Sequence, residues 1–228
     1  MKNIEVKRFV VKEFLAAEAM KTLRTNLQFC GPDIKVVGLT SFTSAEGKST
    51  ISFQLAASLA QDGKRVLLLD TDMRKSVLHN RMRLRGHVEG LSHYLSGMAN
   101  VDELLYETDV DGLYIMFAGK MVPNAAELLG SSSFERLIPA LKDSFDYVIV
   151  DTAPLGQVID CAVITPVLDG ILMVVDANHN SYKLLRRIKA QLEKAGAKIL
   201  GVVLNGVDTM GRHGYYGKAY MKEYGKNK

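Results

Sequence analysis

The stretch IKVVGLTSFTSAEGKST, Ile34 to Thr50, decides the fold. Its first seven residues are mostly apolar, and Gly47-Lys48-Ser49-Thr50 then opens an amphipathic pattern running from about Lys48 to Gln61. A strand, a short loop and Gly-Lys-Ser at the start of a helix form the setting in which such a loop binds phosphate. Backbone N–H groups of the loop and the helix N-terminus face phosphate oxygens, Lys48 adds a point charge, and the Ser49 hydroxyl can ligate magnesium. The expected phosphate-contacting set is Ser44, Ala45, Glu46, Gly47, Lys48, Ser49 and Thr50. The strict P-loop pattern fails at two places, because Phe42 occupies the first glycine position and Ala45 stands where glycine is common. A chance Gly-Lys-Ser turn is the bland alternative.

Outward from this stretch the same alternation repeats. Apolar runs at 65–70 (RVLLLD), 113–118 (LYIMFA), 147–151 (YVIVD), 170–177 (GILMVVDA) and 199–205 (ILGVVLN) alternate with helical patterns at 132–142 and 182–194. Runs that are apolar at every position predict strands buried on both faces, as a parallel sheet covered by helices requires. The chain therefore reads as an α/β doubly wound fold, mostly parallel, with functional loops at the carboxyl ends of its strands. A further helix is expected over about Glu13 to Phe29, and a tail after Asp208.

The carboxylates sit where that fold needs them. RVLLLDTDMRK ends one buried strand with Asp70 and Asp72, Arg74 lying just beyond, and FDYVIVDTAP ends another with Asp151. Neighbouring parallel strands deliver these acids to the edge that carries the P-loop. There, with Ser49, they are candidates to hold magnesium, while phosphates supply the negative charge. The plain alternative, strand-end acids capping turns, does not account for three of them beside Gly-Lys-Ser. The reading is a magnesium-dependent nucleoside-triphosphate site. Asn205, in VVLNGVD, follows the last strand, where it and Asp208 can read a purine edge; adenine is favoured over guanine because Gly206 replaces the lysine of a guanine-reading motif. An ordinary turn is the alternative there.

Composition narrows the class. The 228 residues suit one domain, with 47% hydrophobic and 24% charged content. Basic residues exceed acidic ones only by 29 to 25, which argues against a dedicated nucleic-acid surface. Cys30 and Cys161 have no paired or metal-type spacing and read as small structural thiols of a reducing compartment. The start lacks a signal-peptide core, and no apolar run approaches the ~18 residues of a membrane span. Histidines are scattered, with surface or loop roles expected. The Arg81 to His87 cluster reads as a solvated loop, and Asn124 as a helix N-cap. Four of the nine tyrosines, Tyr215, Tyr216, Tyr220 and Tyr224, crowd the last fifteen residues, spaced by glycine and lysine.

Together these residues resemble the bacterial tyrosine kinases that accompany capsule and exopolysaccharide synthesis, in the Firmicute arrangement with a separate cytoplasmic kinase chain. The resemblance covers essentially the full length. It rests on TSFTSAEGKST, LLLDTDMR, VIVDTAP, GKMVPNAAELLGS (119–131), EAMKTLRTNLQ and the terminal tyrosine cluster. It implies a P-loop kinase domain over 1–208 and a flexible tail over 209–228, with ATP and Mg2+ as cofactors. Lys48, Asp70, Asp72 and Arg74 would be the catalytic set and the four tail tyrosines the phosphoacceptors. Glu18, Lys21 and Arg24 would lie in a ring interface, where Lys21 replaces the family's usual arginine and loses its bidentate fork. It further implies a membrane-embedded activator, a cognate phosphatase, and a cytoplasmic chain recruited to the inner membrane face. The runner-up reading is a partition or positioning ATPase of the same fold, although SFTSAE lacks the second lysine usual there. A nucleotide-gated interaction module without chemistry is the third.

Overall fold

The computed structural model describes residues 2–82, 88–178 and 182–207. Among these, eight strands form one sheet: β1 (Lys2–Ile4), β2 (Val36–Ser41), β3 (Val66–Asp70), β4 (Tyr106–Thr108), β5 (Leu113–Met116), β6 (Tyr147–Asp151), β7 (Gly170–Asp176) and β8 (Ile199–Asn205). Their order across the sheet is β1-β4-β5-β3-β6-β2-β7-β8, and every pair is parallel except β4 with β5. The helices are α1 (Phe14–Gln28), α2 (Lys48–Gln61), α3 (Leu78–Arg81), α4 (Leu91–Leu95), α5 (Val101–Leu104), α6 (Ala125–Leu129), α7 (Ser132–Ser144), α8 (Asp160–Ile164) and α9 (Tyr182–Lys194). None of them is long and apolar enough to cross a membrane.

The period-two geometry of strands sorts the apolar runs onto two cores. Val37, Leu39, Val66 and Leu68 pack with Ile51, Phe53, Leu55 and Leu59 of α2. Their neighbours Val36, Leu67, Leu69, Val148 and Val150 pack on the other face with Phe134, Leu137, Ile138 and Leu141 of α7. α2 is buried nearly all round because α1 covers its outer side. α7 is instead amphipathic and capped by Ser131, whose hydroxyl accepts from the Phe134 N–H.

The expected α/β architecture is present, and several finer expectations change. ILGVVLN was read as buried on both faces, yet β8 is an edge strand with Val202 and Leu204 52% and 57% exposed. His93 is buried in α4, where its Nδ1 accepts from the Gly90 N–H, rather than lying on the surface. Arg81 and Met82, assigned to a solvated loop, end α3, and the Met82 side chain lies in the core; 83–87 fall outside the described residues. Asn124 occupies the N-cap position of α6 but makes no side-chain cap bond. Both cysteines are free, and burial pushes the Cys161 thiol up, out of the reactive range. The domain boundary near 208 and the tyrosine segment also lie outside the described residues.

Candidate nucleotide site

β6 lies between β3 and β2, so the carboxyl ends of the three reach one edge in fixed register: Asp151, which ends β6, stands opposite Asp70 at the end of β3 and opposite Leu39 of β2. The loop after β2 wraps over this edge. Glu46 folds it, its carboxylate accepting from the Thr43 backbone N–H (2.6 Å) and hydroxyl (2.8 Å). Ala45 is the one non-glycine residue with a left-handed backbone among the described residues (φ 73°), and Gly47 follows at φ 87°. A side chain at Gly47 would collide with the Asn205 amide, so this position needs glycine twice over.

Lys48 opens α2 and turns inward. Its Nζ lies 2.6 Å from Asp151 Oδ1, and the Ser52 hydroxyl donates to the same oxygen at 2.9 Å. Both members of the ion pair are buried, at 7% and 2% side-chain exposure. The protein thus supplies a buried counter-charge to the P-loop lysine.

Beside it, Asp70 is fully buried. Burial first, and the facing Asp151 second, raise its carboxyl to about 7, against the opposing pull of Ser76, Lys48 and the Asp72 N–H. Ser76 donates to Asp70 Oδ2 at 2.5 Å, and the Asp72 N–H to Oδ1 at 3.0 Å. Asp72 itself accepts from the Lys75 and Arg74 N–H groups at 2.9 and 3.3 Å, which shapes the DTDMRK turn. Thr71 stitches that turn to β6, donating twice to the Asp151 carbonyl.

A cavity of about 270 Å³ lies against this edge. Ser44, Ala45, Gly47, Lys48, Ser49, Asp72 and Arg74 line it, so the greater part of the expected phosphate set converges there. Glu46, Thr50 and Asn205 stand outside its wall. Thr50 accepts from Arg81, and Asn205 Nδ2 donates to the Glu46 carbonyl at 3.0 Å, tying the end of β8 to the P-loop. Hard oxygen donors suit magnesium: the Ser49 hydroxyl and the Asp72 carboxylate share the cavity, with Asp70 and Asp151 next to it. No group of three or more acidic, histidine or cysteine side chains gathers to cage a metal among the described residues.

Sequence reasoning missed Asp160. Its carboxylate, 1% exposed, grips Arg74 with both oxygens at 2.7 and 3.0 Å and keeps that guanidinium firmly protonated at the cavity wall. An acid nine residues after Asp151 in DTAPLGQVID was the available signal. Of the proposed interface trio, Lys21 pairs with Glu18 on the exposed side of α1 (2.6 Å). Arg24 instead holds α1 on α2, through the Ser58 carbonyl (2.9 Å) and Asp62 (3.3 Å).

Comparison with known proteins matches this geometry. A family model described as an AAA domain fits residues 34–201. The tyrosine-protein kinase CpsD of Streptococcus agalactiae is 41% identical over 209 residues, covering 90% of this chain and 91% of that one. The tyrosine-protein kinase YwqD of Bacillus subtilis is 33% identical over 207 residues, 89% and 87% of the two chains. Among solved structures, the kinase domain of the Escherichia coli tyrosine kinase ETK superposes with a TM-score of 0.80 at 34% identity, covering 84% of this chain and 76% of that one.

Proposed function

Because this chain belongs to the bacterial tyrosine-protein kinases, we propose that it transfers the γ-phosphoryl group of ATP to Tyr215, Tyr216, Tyr220 and Tyr224. The observation that carries this reading is the convergence of Lys48, Asp70, Asp72 and Asp151 on one sheet edge beside a cavity lined by the P-loop. In the transfer, a bond forms between the phenol oxygen and the γ-phosphorus and the bond to the bridging oxygen of ADP breaks. The phenol proton passes to one of the Asp70 and Asp72 carboxylates. A phenol titrates near 10, so alignment and charge neutralisation must supply most of the rate. Lys48 turns from Asp151 to the phosphates, and Arg74, held by Asp160, faces the same cavity. Magnesium, held by Ser49 with Asp70, Asp72 or Asp151, would neutralise charge on the β- and γ-phosphates.

Each phosphate adds roughly −1.5 to −2 charges, enough in fourfold to reverse the tail's basic character and expel it from an acidic, phosphate-filled site. The cycle we envisage docks unmodified tails in neighbouring sites of a ring and releases them once phosphorylated, so regulating polysaccharide polymerisation or export. It calls for a membrane-embedded activator that recruits the chain to the inner membrane face, and for a phosphatase that resets it. Names of the relatives support the kinase step, and the exposed Glu18–Lys21 face of α1 is available for a neighbour.

The test is incubation with labelled ATP, magnesium and the activator's cytoplasmic segment. Label should enter the last peptide as a ladder by mass spectrometry. It should fall at least about 100-fold in Lys48→Met and vanish when all four tail tyrosines become phenylalanine. Unchanged labelling of that fourfold variant rules out the tail as substrate, and phosphate release without phosphotyrosine returns the partition-ATPase reading.

A further inference from the structure

α9 packs on the sheet through Ile188 and Leu192, which are buried with Ile171 and Met173 of β7. Helical spacing then sets Lys183, Arg187, Ala190 and Lys194 on the directly opposite side, at i, i+4, i+7 and i+11, with Arg186 beside them. These four basic residues are all exposed. Lys189 has Glu193 at 3.4 Å, whereas Lys183, Arg186, Arg187 and Lys194 have no ion-pair partner among the described residues. Beside this charge stand apolar groups. Val202 and Leu204 of β8, 52% and 57% exposed, pair with Met173 and Val175 and so emerge on the sheet face that α9 covers. Tyr182, which opens α9, is 74% exposed. From this juxtaposition we infer that the α9–β8 face docks directly on an anionic phospholipid bilayer.

Charge complementarity carries the assignment. From Tyr182 to Asn205 six basic residues stand against Glu193 alone. That local excess of five is larger than the +4 of the whole chain, so the other residues together are slightly acidic and the attraction for an anionic surface is concentrated on one face. A cluster of about four to eight Lys and Arg is drawn to the negative surface of a phospholipid leaflet. Their aliphatic stems lie along apolar surface while the charged heads meet lipid phosphates. Val202, Leu204 and Tyr182 favour a bilayer over a nucleic acid: the headgroup boundary accepts apolar and aromatic tips, and a phosphate backbone offers them no counterpart. The contact needs no spanning helix, in keeping with the absence of one among the described residues. α1 and α2 lie on the other face of the sheet, so the docked chain keeps its Glu18–Lys21 side free for a neighbour.

Co-sedimentation with vesicles tests this on the full chain with no other protein present, which separates it from recruitment by an activator. Vesicles of phosphatidylcholine and phosphatidylglycerol in a ratio of about 7:3 should bind the chain at about 0.1 M salt, and vesicles of phosphatidylcholine alone should not. Raising the salt to about 0.5 M should weaken binding at least about tenfold. The combined variant Lys183→Gln, Arg187→Gln and Lys194→Gln should weaken it about 100-fold with an unchanged melting temperature, since all three residues are exposed. Lys194→Glu alone should act in the same direction by about tenfold and serves if the combined variant folds poorly. Removing as many charges elsewhere, in Lys7→Gln, Lys12→Gln and Lys64→Gln, should change binding less than about threefold. Failure to bind the anionic vesicles overturns the inference, as does equal binding to the neutral ones. Equal loss in the two triple variants also overturns it, because net charge and not this face would then be responsible. So does tighter binding of a DNA duplex of about 20 base pairs that the α9 variant abolishes, which assigns the face to nucleic acid.

Discussion

β2 and β8 look alike as sequence and differ as structure. VVGLTS and ILGVVLN are both apolar runs, but β2 is buried at every residue and β8 exposes one face. The difference lies in their neighbours: β2 has a strand on each side and helices above and below, whereas β8 has β7 alone. The contrast extends to the residues at their carboxyl ends. At the centre, Asp70 faces Asp151 and both are 1% exposed; at the edge, Asp176 faces Asn205, both partly exposed. Two carboxylates held opposite each other in the interior need a cation or a proton between them, and the centre has Lys48 and the raised Asp70. An acid facing an amide makes no such demand. Hydropathy marks a strand, and position in the sheet decides whether that strand can host charge chemistry.

Three measurements press on this contrast. The largest effect is expected from truncating the two strands alike. Leu39→Ala should cost about 2–5 kcal/mol by urea denaturation, because the site cannot collapse around the missing atoms. Leu204→Ala should stay within about 0.5 kcal/mol. Comparable losses in both would mean that the β8 face is covered in solution.

Next comes pH. Asp70 titrates near 7 folded against an ordinary 3.8, so between those values the folded chain holds a proton that the unfolded chain has lost. Stability from this group therefore falls as pH rises from about 4 to 7 and levels off above. Asp70→Asn should flatten that part of the Tm-against-pH curve and raise Tm at pH 8 relative to the parent chain. A parallel curve for the variant would contradict the raised carboxyl. The smallest effect is expected in the loop that joins centre to edge. Ala45→Gly should stabilise by up to about 1 kcal/mol, since a left-handed alanine is strained and glycine is not. Loss of stability there would show that the alanine side chain makes a compensating contact.

Long elements were legible because many residues vote on their period. The helix at Lys48–Gln61, the helix at Tyr182–Lys194 and the strand at Tyr147–Asp151 stand where the sequence places them. β1 and β4 escaped because three residues each, KNI and YET, carry no periodicity and owe their extended state to pairing a hundred positions apart. Within the site, Lys48, Ser49, Asp72 and Arg74 were legible from local motifs. What no motif contains is partnership across the fold. Asp160 reaches Arg74 over 86 positions, and Asn205 reaches Glu46 over 159.

The ladder that joins β3 to β6 has a consequence for how variants should be judged. It is made of backbone bonds between mostly apolar segments, VLLLD and YVIVD, yet it sets Asp70 directly across from Asp151. A slip of one residue would turn Asp70 and its neighbours to opposite faces of the sheet and set Val150 in the place of Asp151. The core strands therefore act as the gauge by which the charges are spaced. A small aliphatic substitution that loosens this alignment can surface as a lost rate constant while the melting temperature barely moves.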